Sequence, residues 1–376
     1  MKRRPGTPPR PLRTCAGPGR HGNIGPEQAL APFLPREPSV RFLFLTPFSS
    51  KPMQHSRRAL IAAACGLAAV ALPVAVPAQS AWPTRPIHLV VGFPGGSTPD
   101  IAARTIADPL ARLLGQPVVV DNRPGASGNI AADFVAKATD DHTLGIVING
   151  NLTSSKMLYP KLPYDPAKDF TYLSLIATAP LVLLATNDVP GGKGFIDAAK
   201  ASGSQWNYGS VGVGSVGHLG MELIKSRIPG FQAQHVPYQG NPQVVTGMVG
   251  GQVQLALVPP GIAIPQVKSG KLKAIGVTSG RSVLAPDYAP LADLGVKDAN
   301  LEVWTALLGP ARLSPAARAR ITDAVAQVMK MPDVRQALFD RGWQAVGSSP
   351  EGMRLRVQDE AAIMTKIIQS RGIKLQ

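Results

Sequence analysis

Cysteine is nearly absent from this chain of 376 residues, which contains only Cys15 and Cys65. Both lie in N-terminal segments that we expect the mature protein to lack. The mature chain would then have no disulfide and no cysteine-based metal site. A chain without cysteine cannot form wrong disulfides, which suits an oxidising compartment such as the periplasm.

Aromatic residues are also scarce, at 5% of the chain, and they are not interspersed with basic residues. The formal net charge is +16, but residues 1–52 contribute +7 and residues 53–80 contribute +2, which leaves +7 for residues 81–376. The mature region is therefore only mildly basic and has no dense run of Lys or Arg. We expect no nucleic-acid partner.

Sequence motifs for metal binding and catalysis are missing as well. No two of the four histidines after residue 80 lie within six positions of each other, so the chain has no H-x-x-x-H metal motif. Ser210 and Ser215 lack the glycine two residues earlier that a nucleophile elbow requires, because Tyr208 and Val213 stand there. We expect no metal, no cofactor and no enzymatic activity.

Residues 53–80 have the pattern of an export signal to the periplasm. Two arginines precede an apolar run at residues 59–72, and residues 76–78 offer small side chains for cleavage. The run is short and followed by proline, which disfavours an uncleaved membrane anchor. Residues 1–52 are rich in Pro, Arg and Gly. Either translation begins at Met53, or residues 1–52 are a disordered extension.

Beyond residue 86, short apolar runs alternate with segments of helical periodicity, which predicts βαβ units with parallel strands. Strands are predicted at 88–92, 117–120, 144–148, 206–209, 234–237, 255–258, 273–277 and 304–308, with a long apolar stretch at 173–185. Helices are predicted at 99–114, 130–137, 195–201, 218–227, 242–250, 262–269, 315–329, 332–341 and 350–370. Pro109 should kink the first helix or end its first half.

Two similar βα series followed by a helical tail predict an α/β protein with two lobes and a ligand cleft between them. We expect the chain to cross between the lobes near Ala185 and Trp304. Residues 81–185 and 306–376 would form the first lobe, and residues 186–305 the second.

A glycine-rich loop, Phe93-Pro-Gly-Gly-Ser-Thr-Pro-Asp100, follows the first predicted strand and opens the first predicted helix. Thr98 suits the N-cap position, and Pro99 suits the first helical turn. Glycine lets the backbone approach a ligand closely, and the N–H groups of a helix start attract anions. The loop therefore predicts a carboxylate site, although Asp100 has an alternative role in stabilising the helix N-terminus.

A second loop, Gly209-Ser-Val-Gly-Val-Gly-Ser-Val-Gly-His218, also lies between a predicted strand and a predicted helix. Its glycines match G-x-G-x-x-G, but no acidic residue occurs at 231–241, so we do not expect a dinucleotide. What is left is a helix start with Ser210, Ser215 and backbone amides, suited to a carboxylate. His218 is either a structural histidine or a donor facing the cleft.

Two further segments are weaker candidates for ligand contact. Asn149-Gly-Asn-Leu-Thr-Ser-Ser155 supplies amides and hydroxyls after a predicted strand, although a surface turn explains it equally well. Tyr238 precedes a predicted helix and could donate a hydrogen bond into the cleft or merely pack.

Several motifs, taken in order, resemble the solute-binding family of tripartite tricarboxylate transporters, also called Bug receptors. They are Pro83-Thr-Arg-Pro-Ile, Gly95-Gly-Ser-Thr-Pro-Asp-Ile-Ala-Ala-Arg104, Asn122-Arg-Pro-Gly-Ala-Ser-Gly128, Tyr208-Gly-Ser-Val-Gly-Val-Gly-Ser-Val-Gly-His-Leu219, Val236-Pro-Tyr-Gln-Gly240 and Gly250-Gly-Gln-Val253. The resemblance extends from about Trp82 to the C-terminus.

This resemblance implies a periplasmic Venus-flytrap receptor that delivers its ligand to a membrane permease, and we expect it to be a monomer. It implies that the two glycine loops grip one carboxylate, largely through backbone amides and ordered water. Carried over to this chain, the ligand-binding residues are Phe93, Gly95, Gly96, Ser97, Thr98 and Asp100, then Ser210, Gly212, Gly214, Ser215 and His218, with Asn149, Thr153 and Tyr238 as weaker transfers.

The chain departs from the family pattern in two places. In the first loop one residue is missing before Gly95, and Pro99 separates Thr98 from Asp100, which leaves the role of Asp100 open. The predicted strand near residue 255 has Gln254 where the family often carries an acid. This difference favours a plain carboxylic acid over an amino acid as the ligand.

Together these features predict a receptor that captures a di- or tricarboxylate or an aromatic acid for uptake. The lobes would close on the ligand by hinge motion at the two crossover strands. A sensor that presents the closed lobes to a signalling partner is an alternative. A hydrolase in the same cleft is disfavoured, because the sequence shows no nucleophile paired with a base.

Overall fold

The computed structural model describes residues 82–374. The predicted extension at residues 1–52 and the predicted export signal at residues 53–80 lie outside the described residues. Among residues 82–374, no helix is both long enough and apolar enough to cross a membrane.

Six strands form the larger of two sheets. They are β1 (Ile87–Val91), β2 (Val118–Asn122), β3 (Thr143–Ile148), β4 (Phe170–Pro180), β10 (Glu302–Pro310) and β11 (Gln344–Ala345), in the order β11-β4-β10-β3-β1-β2. β1 pairs in parallel with β2 and β3. β10 pairs antiparallel with β3 and β4, and β11 pairs antiparallel with β4.

Five strands form the smaller sheet. They are β5 (Val182–Ala185), β6 (Asn207–Ser210), β7 (Gln234–Pro237), β8 (Leu255–Val258) and β9 (Lys273–Val277), in the order β7-β6-β8-β5-β9. β6 pairs in parallel with β7 and β8, whereas β5 pairs antiparallel with β8 and β9. We call the elements around the larger sheet the large lobe and those around the smaller sheet the small lobe.

Helices flank both sheets. Those of the large lobe are α1 (Thr98–Leu114), α2 (Asn129–Ala136), α3 (Asn149–Leu152), α4 (Ser155–Leu158), α9 (Pro315–Val328), α10 (Pro332–Asp340) and α11 (Pro350–Arg371). Those of the small lobe are α5 (Gly194–Ser202), α6 (Val216–Arg227), α7 (Asn241–Val249) and α8 (Pro260–Lys268). α11 packs against β4 and also contacts α6, where Arg371 lies 3.9 Å from Glu222.

Every predicted helix and strand is present, with small differences at the ends. β3, β5 and β8 are buried at every position, which explains why they read as continuous apolar runs. The short elements α3, α4 and β11 were not predicted, because two to four residues are too few to show a period.

Two expectations about these elements need correction. The sheets are mixed rather than parallel, because the chain enters the small lobe through β5 and returns through β10, and both strands run antiparallel to their neighbours. The first helix does not end at Pro109. α1 continues through it, since buried Ile106 and Leu110 on either side pack into the core and outweigh one missing backbone hydrogen bond.

The chain leaves the larger sheet after Pro180 and enters the smaller sheet at Val182, so Leu181 alone separates the two sheets at this passage. The return passage lies between Val277 and Glu302. The larger sheet therefore consists of strands from two separate stretches of chain, residues 87–180 and 302–345, whereas the strands of the smaller sheet all lie within residues 182–277. The two passages are the covalent connections between the lobes.

A buried carboxylate joins the C-terminal helix to the large sheet. Glu360 of α11 accepts hydrogen bonds from Nδ2 of Asn149, at 2.6 Å, and from Nε1 of Trp304 in β10. Burial raises the pKa of Glu360 despite these two hydrogen bonds, which act in the opposite direction. The carboxyl group thus provides the acceptor for two buried donors on separate elements.

Replacing Glu360 with alanine should destabilise the protein by about 2–4 kcal/mol, because two buried donors lose their acceptor. Urea unfolding followed by circular dichroism measures this change. Lys366→Ala, at an exposed position of the same helix, is the matched control and should change the free energy of unfolding by less than about 0.5 kcal/mol. Equal unfolding midpoints for Glu360→Ala and the control would contradict this account of α11.

Candidate functional site

A small cavity of about 30 Å³, here called the inner cavity, lies between the two lobes. Its walls come from the β1–α1 loop and the ends of β3 and β10 on one side, and from the β6–α6 loop and the starts of α7 and α8 on the other. The lining residues are Phe93, Ser97, Thr98, Pro99, Ile148, Leu181, Val211, Ser215, Val216, Gly217, Asn241, Leu257, Pro259 and Val303. None of these described residues has a charged side chain.

The N-termini of four helices converge on the inner cavity. Ser97 is the N-cap of α1 in the large lobe. Ser215 is the N-cap of α6, Asn241 is the first residue of α7, and Pro259 is the N-cap of α8, all in the small lobe. Each helix start carries roughly half a positive charge from aligned peptide dipoles. The cavity therefore has a positive potential without any cationic side chain in its wall.

Hydrogen-bond donors at these helix starts belong to residues that line the same space. Thr98, Val216 and Gly217 lie in first turns, where helix geometry provides no acceptor within the helix for their N–H groups. Ser97 is only 1% exposed, and its hydroxyl has no hydrogen-bond partner among the described residues. A buried hydroxyl without a partner is costly, so it marks a place where a ligand acceptor would be stabilised.

Direct hydrogen bonds hold the lobes together around the inner cavity. Nδ2 of Asn241 donates to Oγ1 of Thr98, which joins the starts of α7 and α1. On the other side of the cavity, Oγ of Ser154 donates to the carbonyl oxygen of Gly214. Tyr159 donates to the carbonyl oxygen of Val213 at 3.2 Å. The structure is therefore that of a closed cleft.

The first glycine loop presents different atoms to the cavity from those that we expected. Phe93, Ser97 and Thr98 line it, but Gly95 and Gly96 are exposed to solvent outside it. The N-cap of α1 is Ser97, and Thr98 is the first helical residue, which corrects the predicted N-cap. Pro99 is therefore the second residue of α1 rather than the first.

Asp100 has a structural role within this loop. It accepts hydrogen bonds from the N–H of Gly96 at 2.8 Å, from Nδ2 of Asn122 at 2.9 Å and from Nε of Arg104 at 3.0 Å. Burial raises the pKa of Asp100, but hydrogen bonds from Arg104, Asn122 and Gly96 outweigh burial and lower it overall. This geometry supports the alternative in which Asp100 stabilises the start of α1.

The second glycine loop is held by internal hydrogen bonds and by contact with the large lobe. The N–H of Gly212 donates to Oγ of Ser210, and the hydroxyl of Ser215 donates to the carbonyl oxygen of Gly212 at 2.8 Å. Gly212 and Gly214 have φ angles of 119° and 82°, and a Cβ at Gly212 would lie 2.0 Å from Oγ of Ser127. These glycines thus permit close approach of the large lobe, whereas Ser215 lines the inner cavity.

His218 is buried behind the second loop and does not line the inner cavity. Its Nδ1 accepts a hydrogen bond from the N–H of Gly214 at 3.1 Å, and its ring stacks on His235 with centroids 4.0 Å apart. Nε2 of His235 lies 2.7 Å from the hydroxyl of Ser210. Burial lowers the pKa of His218 to about 4. Burial, with a contribution from His218, lowers the pKa of His235 to about 3. This geometry supports the structural role that was the first alternative for His218.

The remaining predicted residues lie away from the inner cavity. Asn149 donates to Glu360 and to the carbonyl oxygen of Glu302 at 3.1 Å. Thr153 donates to the carbonyl oxygen of Asn149 and borders a surface groove of about 810 Å³ between α4 and α11, which lies within the large lobe. Tyr238 lines a third space of about 460 Å³, here called the outer cavity, whose walls come from both lobes. The ligand roles of all the named residues stay predictions.

Sequence reasoning missed several residues that line the inner cavity. Val216 and Gly217 lie just beyond the serine that we selected, and Leu181 and Val303 lie at the passages between the sheets. Asn241 was not among the predicted site residues, yet its side chain donates a hydrogen bond across the cleft to Thr98. The proline that follows Asn241 was a signal for the helix start, but no local pattern indicates a partner 143 residues away.

Two lobes, each a helix-flanked mixed sheet, close on an uncharged cavity that donors from both lobes surround. This arrangement defines a two-lobed solute-binding receptor of the periplasmic-binding-protein class. The chain belongs to a specific family within that class, because the profile described as "Tripartite tricarboxylate transporter family receptor" matches residues 102–373. Membership in a receptor family confirms the predicted family and the prediction that the protein is not an enzyme.

Solved structures show the same fold at moderate sequence identity. A structure described as a periplasmic transporter is 32% identical with a TM-score of 0.74, covering 79% of this chain and 100% of its own. The R. palustris protein Rpa4515 with adipate is 32% identical with a TM-score of 0.75, covering 78% of this chain and 99% of its own. MatC from Rhodopseudomonas palustris with bound malate is 29% identical with a TM-score of 0.72, and the match covers 76% of this chain and 100% of the MatC chain. These matches confirm the predicted fold class.

The stacked pair of His218, which is buried, and His235, which is half-buried, predicts a loss of stability in mild acid. The folded protein resists protonation of His218 and His235, whereas the unfolded chain binds protons near pH 6.5. The unfolded state therefore binds more protons between about pH 4 and 6.5, and the free energy of unfolding falls as the pH is lowered through this range. We expect a loss of about 3 kcal/mol between pH 7 and pH 5, measured by urea unfolding.

His218→Asn provides the control for this pH effect, because it removes one of the two protonation sites. The fall in unfolding free energy from pH 7 to pH 5 should be roughly half as large in this variant. An unchanged fall would show that other groups cause it. The comparison uses the change in unfolding free energy between pH 7 and pH 5 within each protein. It is therefore valid even if His218→Asn lowers the stability at pH 7.

Proposed function

We propose that this receptor captures a small carboxylic acid in the periplasm and delivers it to a membrane permease of the tripartite tricarboxylate type. The observation that carries the proposal is the convergence of four helix N-termini, with the partnerless hydroxyl of Ser97, on one buried uncharged cavity. The predicted ligand classes are di- and tricarboxylates and aromatic acids. The relatives solved with adipate and malate support a carboxylate.

Electrostatics support an anion over a neutral or cationic ligand. A carboxylate in the inner cavity would accept hydrogen bonds from Ser97 and from first-turn N–H groups of α1 and α6. A hydrogen bond to a charged group contributes about 1.5–3 kcal/mol, and helix dipoles add to this in a site shielded from water. A cation would meet four positive helix ends and no carboxylate among the lining residues.

Ligand entry would require the lobes to separate. A cavity of about 30 Å³ has room for roughly one water molecule, and adipate or malate would not fit. We propose hinge motion at the two passages between the sheets, near Leu181 and between Val277 and Glu302. The lobe boundaries predicted at residues 185/186 and 305/306 would both move in this proposal. The first would move to Leu181 because β5 belongs to the smaller sheet, and the second would move before Glu302 because β10 belongs to the larger sheet.

The proposed periplasmic location of the protein depends on its N-terminal segment. We propose that residues 53–80 direct export and are removed. The mildly basic, cysteine-free chain from residue 81 onward would then reside in the periplasm, as a monomer. A membrane permease is the partner that the family description supports. N-terminal sequencing of the exported protein tests this processing, and retention of residues 53–80 would contradict it.

Ligand binding is tested by thermal unfolding of the purified protein with a panel of small carboxylates, after co-purified ligand has been removed. A ligand that binds only the folded state raises the Tm, by an amount that grows with its concentration. We expect at least one mono-, di- or tricarboxylate to raise the Tm. The corresponding neutral amides should have no effect.

Ser97→Ala should weaken the affinity for that acid by about 10- to 100-fold, the value of one hydrogen bond to a charged group. The stability without ligand should not fall, because the Ser97 hydroxyl has no partner to lose. Ser226→Ala is the matched control. Its hydroxyl is exposed and bonds to Leu223 in the last turns of α6. Equal affinities of both variants and the wild type would remove the start of α1 from the site.

A further inference from the structure

The outer cavity, which like the inner cavity is bounded by both lobes, is the larger of these two. It measures about 460 Å³, which lies within the range of small-molecule sites in proteins. Ser127 and Tyr159 line it from the large lobe, and Tyr238, Gln239 and Gln243 line it from the small lobe. Because its walls belong to both lobes, its shape depends on how far the cleft closes.

A contact between the lobes lies where residues lining the outer cavity follow residues lining the inner one. Val211 lines the inner cavity, and the next residue, Gly212, lines the outer cavity and contacts Ser127 of the large lobe. On the opposite wall, Phe93 of the inner cavity packs against Gly128, the residue after Ser127. Separation of the lobes would move Gly212 away from Ser127 and join the two cavities into one site.

The chemistry of the outer cavity is polar but uncharged. Hydroxyl groups come from Ser127, Tyr159 and Tyr238, and side-chain amides come from Gln239 and Gln243. None of the described residues in its wall is acidic or basic.

Arg123, close in sequence to this wall, is already engaged elsewhere. Its Nε donates to Asp121 at 2.8 Å, and its guanidinium stacks on the ring of Phe134 at 3.7 Å. This cation therefore already has a carboxylate partner and an aromatic partner outside the outer cavity.

Backbone strain in the wall supports a functional role. Ala126 and Ser127 adopt φ angles of 47° and 56°, in the left-handed region that non-glycine residues rarely occupy. Such conformations cost roughly 1 kcal/mol or more each and concentrate at binding sites. Here the strained segment places Ser127 against Gly212 of the opposite lobe, where the two cavities meet.

We infer that the outer cavity is a second subsite, which takes the end of the ligand distal to its carboxylate, and that this end is an uncharged polar group. This inference rests on the proposed function and narrows it. The preferred ligand is a monocarboxylate with a hydroxyl, phenol or amide at its far end. A dicarboxylate of the same length would place its second charge among neutral groups, where it gains no cationic partner, because none of the described residues in this wall is basic.

Matched pairs of acids test this preference, with isothermal titration calorimetry on the purified protein after removal of co-purified ligand. The pairs are 6-hydroxyhexanoate against adipate, and 4-hydroxybenzoate against terephthalate. In at least one pair we expect the hydroxy acid to bind at least about tenfold more tightly. If the diacid binds with equal or higher affinity in both pairs, the proposed distal subsite is wrong, whereas the proposal that the receptor captures a carboxylate is unaffected. Absence of binding by all four acids, and by the wider carboxylate panel, overturns both.

A charge introduced into the outer cavity provides an independent test. Gln239→Lys should improve the affinity for the diacid relative to the hydroxy acid by at least about threefold, through a partly screened ion pair that weakens with added salt. Gln369→Lys, an exposed position on α11, adds the same charge outside the outer cavity and should leave the ratio unchanged. An equal ratio in both variants would place the distal end of the ligand elsewhere and overturn the inference.

Discussion

The structure depends on one arrangement, the convergence of helix N-termini from both lobes on a single buried space. Among residues 82–374, no cationic side chain lines that space, so its positive potential comes from peptide dipoles and N–H groups fixed by the helices themselves. Backbone donors of this kind need little rearrangement when an anion arrives, unlike long flexible side chains. They can bind one ligand jointly only when the two lobes lie on either side of it, because α1 belongs to one lobe and α6, α7 and α8 belong to the other.

The glycine loops serve this arrangement in a less direct way than their composition suggests. The N–H groups of Gly96, Gly212 and Gly214 are bonded to Asp100, Ser210 and His218 within their own loops. The residues of these helix starts that line the inner cavity, Thr98, Val216 and Gly217, lie a few residues later, in the first turns of the helices. The glycines of the second loop instead allow the backbone to come within contact distance of Ser127 and Ser154 of the large lobe. Closure of the cleft is therefore a contact of backbone against small polar side chains.

Most of the fold and part of the site could be predicted from local pattern. The strands at β7, β8 and β9 have the predicted ends, and every predicted helix is present, because apolar periodicity and proline at helix starts are local signals. Ser97 and Ser215, which were predicted to bind ligand because each ends a glycine loop before a helix, line the inner cavity, and their ligand roles stay predictions. Asn149 is also a polar residue that follows a strand, but its side chain donates a hydrogen bond to Glu360, 211 residues away. Sequence spacing contains no information about such a partner.

The sequence alone determined the alternation of strands and helices, the two glycine loops and the family, because these depend on neighbouring residues and on motif order. Tertiary structure decided which donors meet. The contact of Asn241 with Thr98 and of Ser154 with Gly214, the antiparallel entry of β5 and β10, and the uncharged walls of both cavities all depend on packing between distant segments. The physical reason is that a hydrogen bond or a buried surface forms between whatever groups the fold brings within a few ångströms, and separation along the chain does not specify that distance.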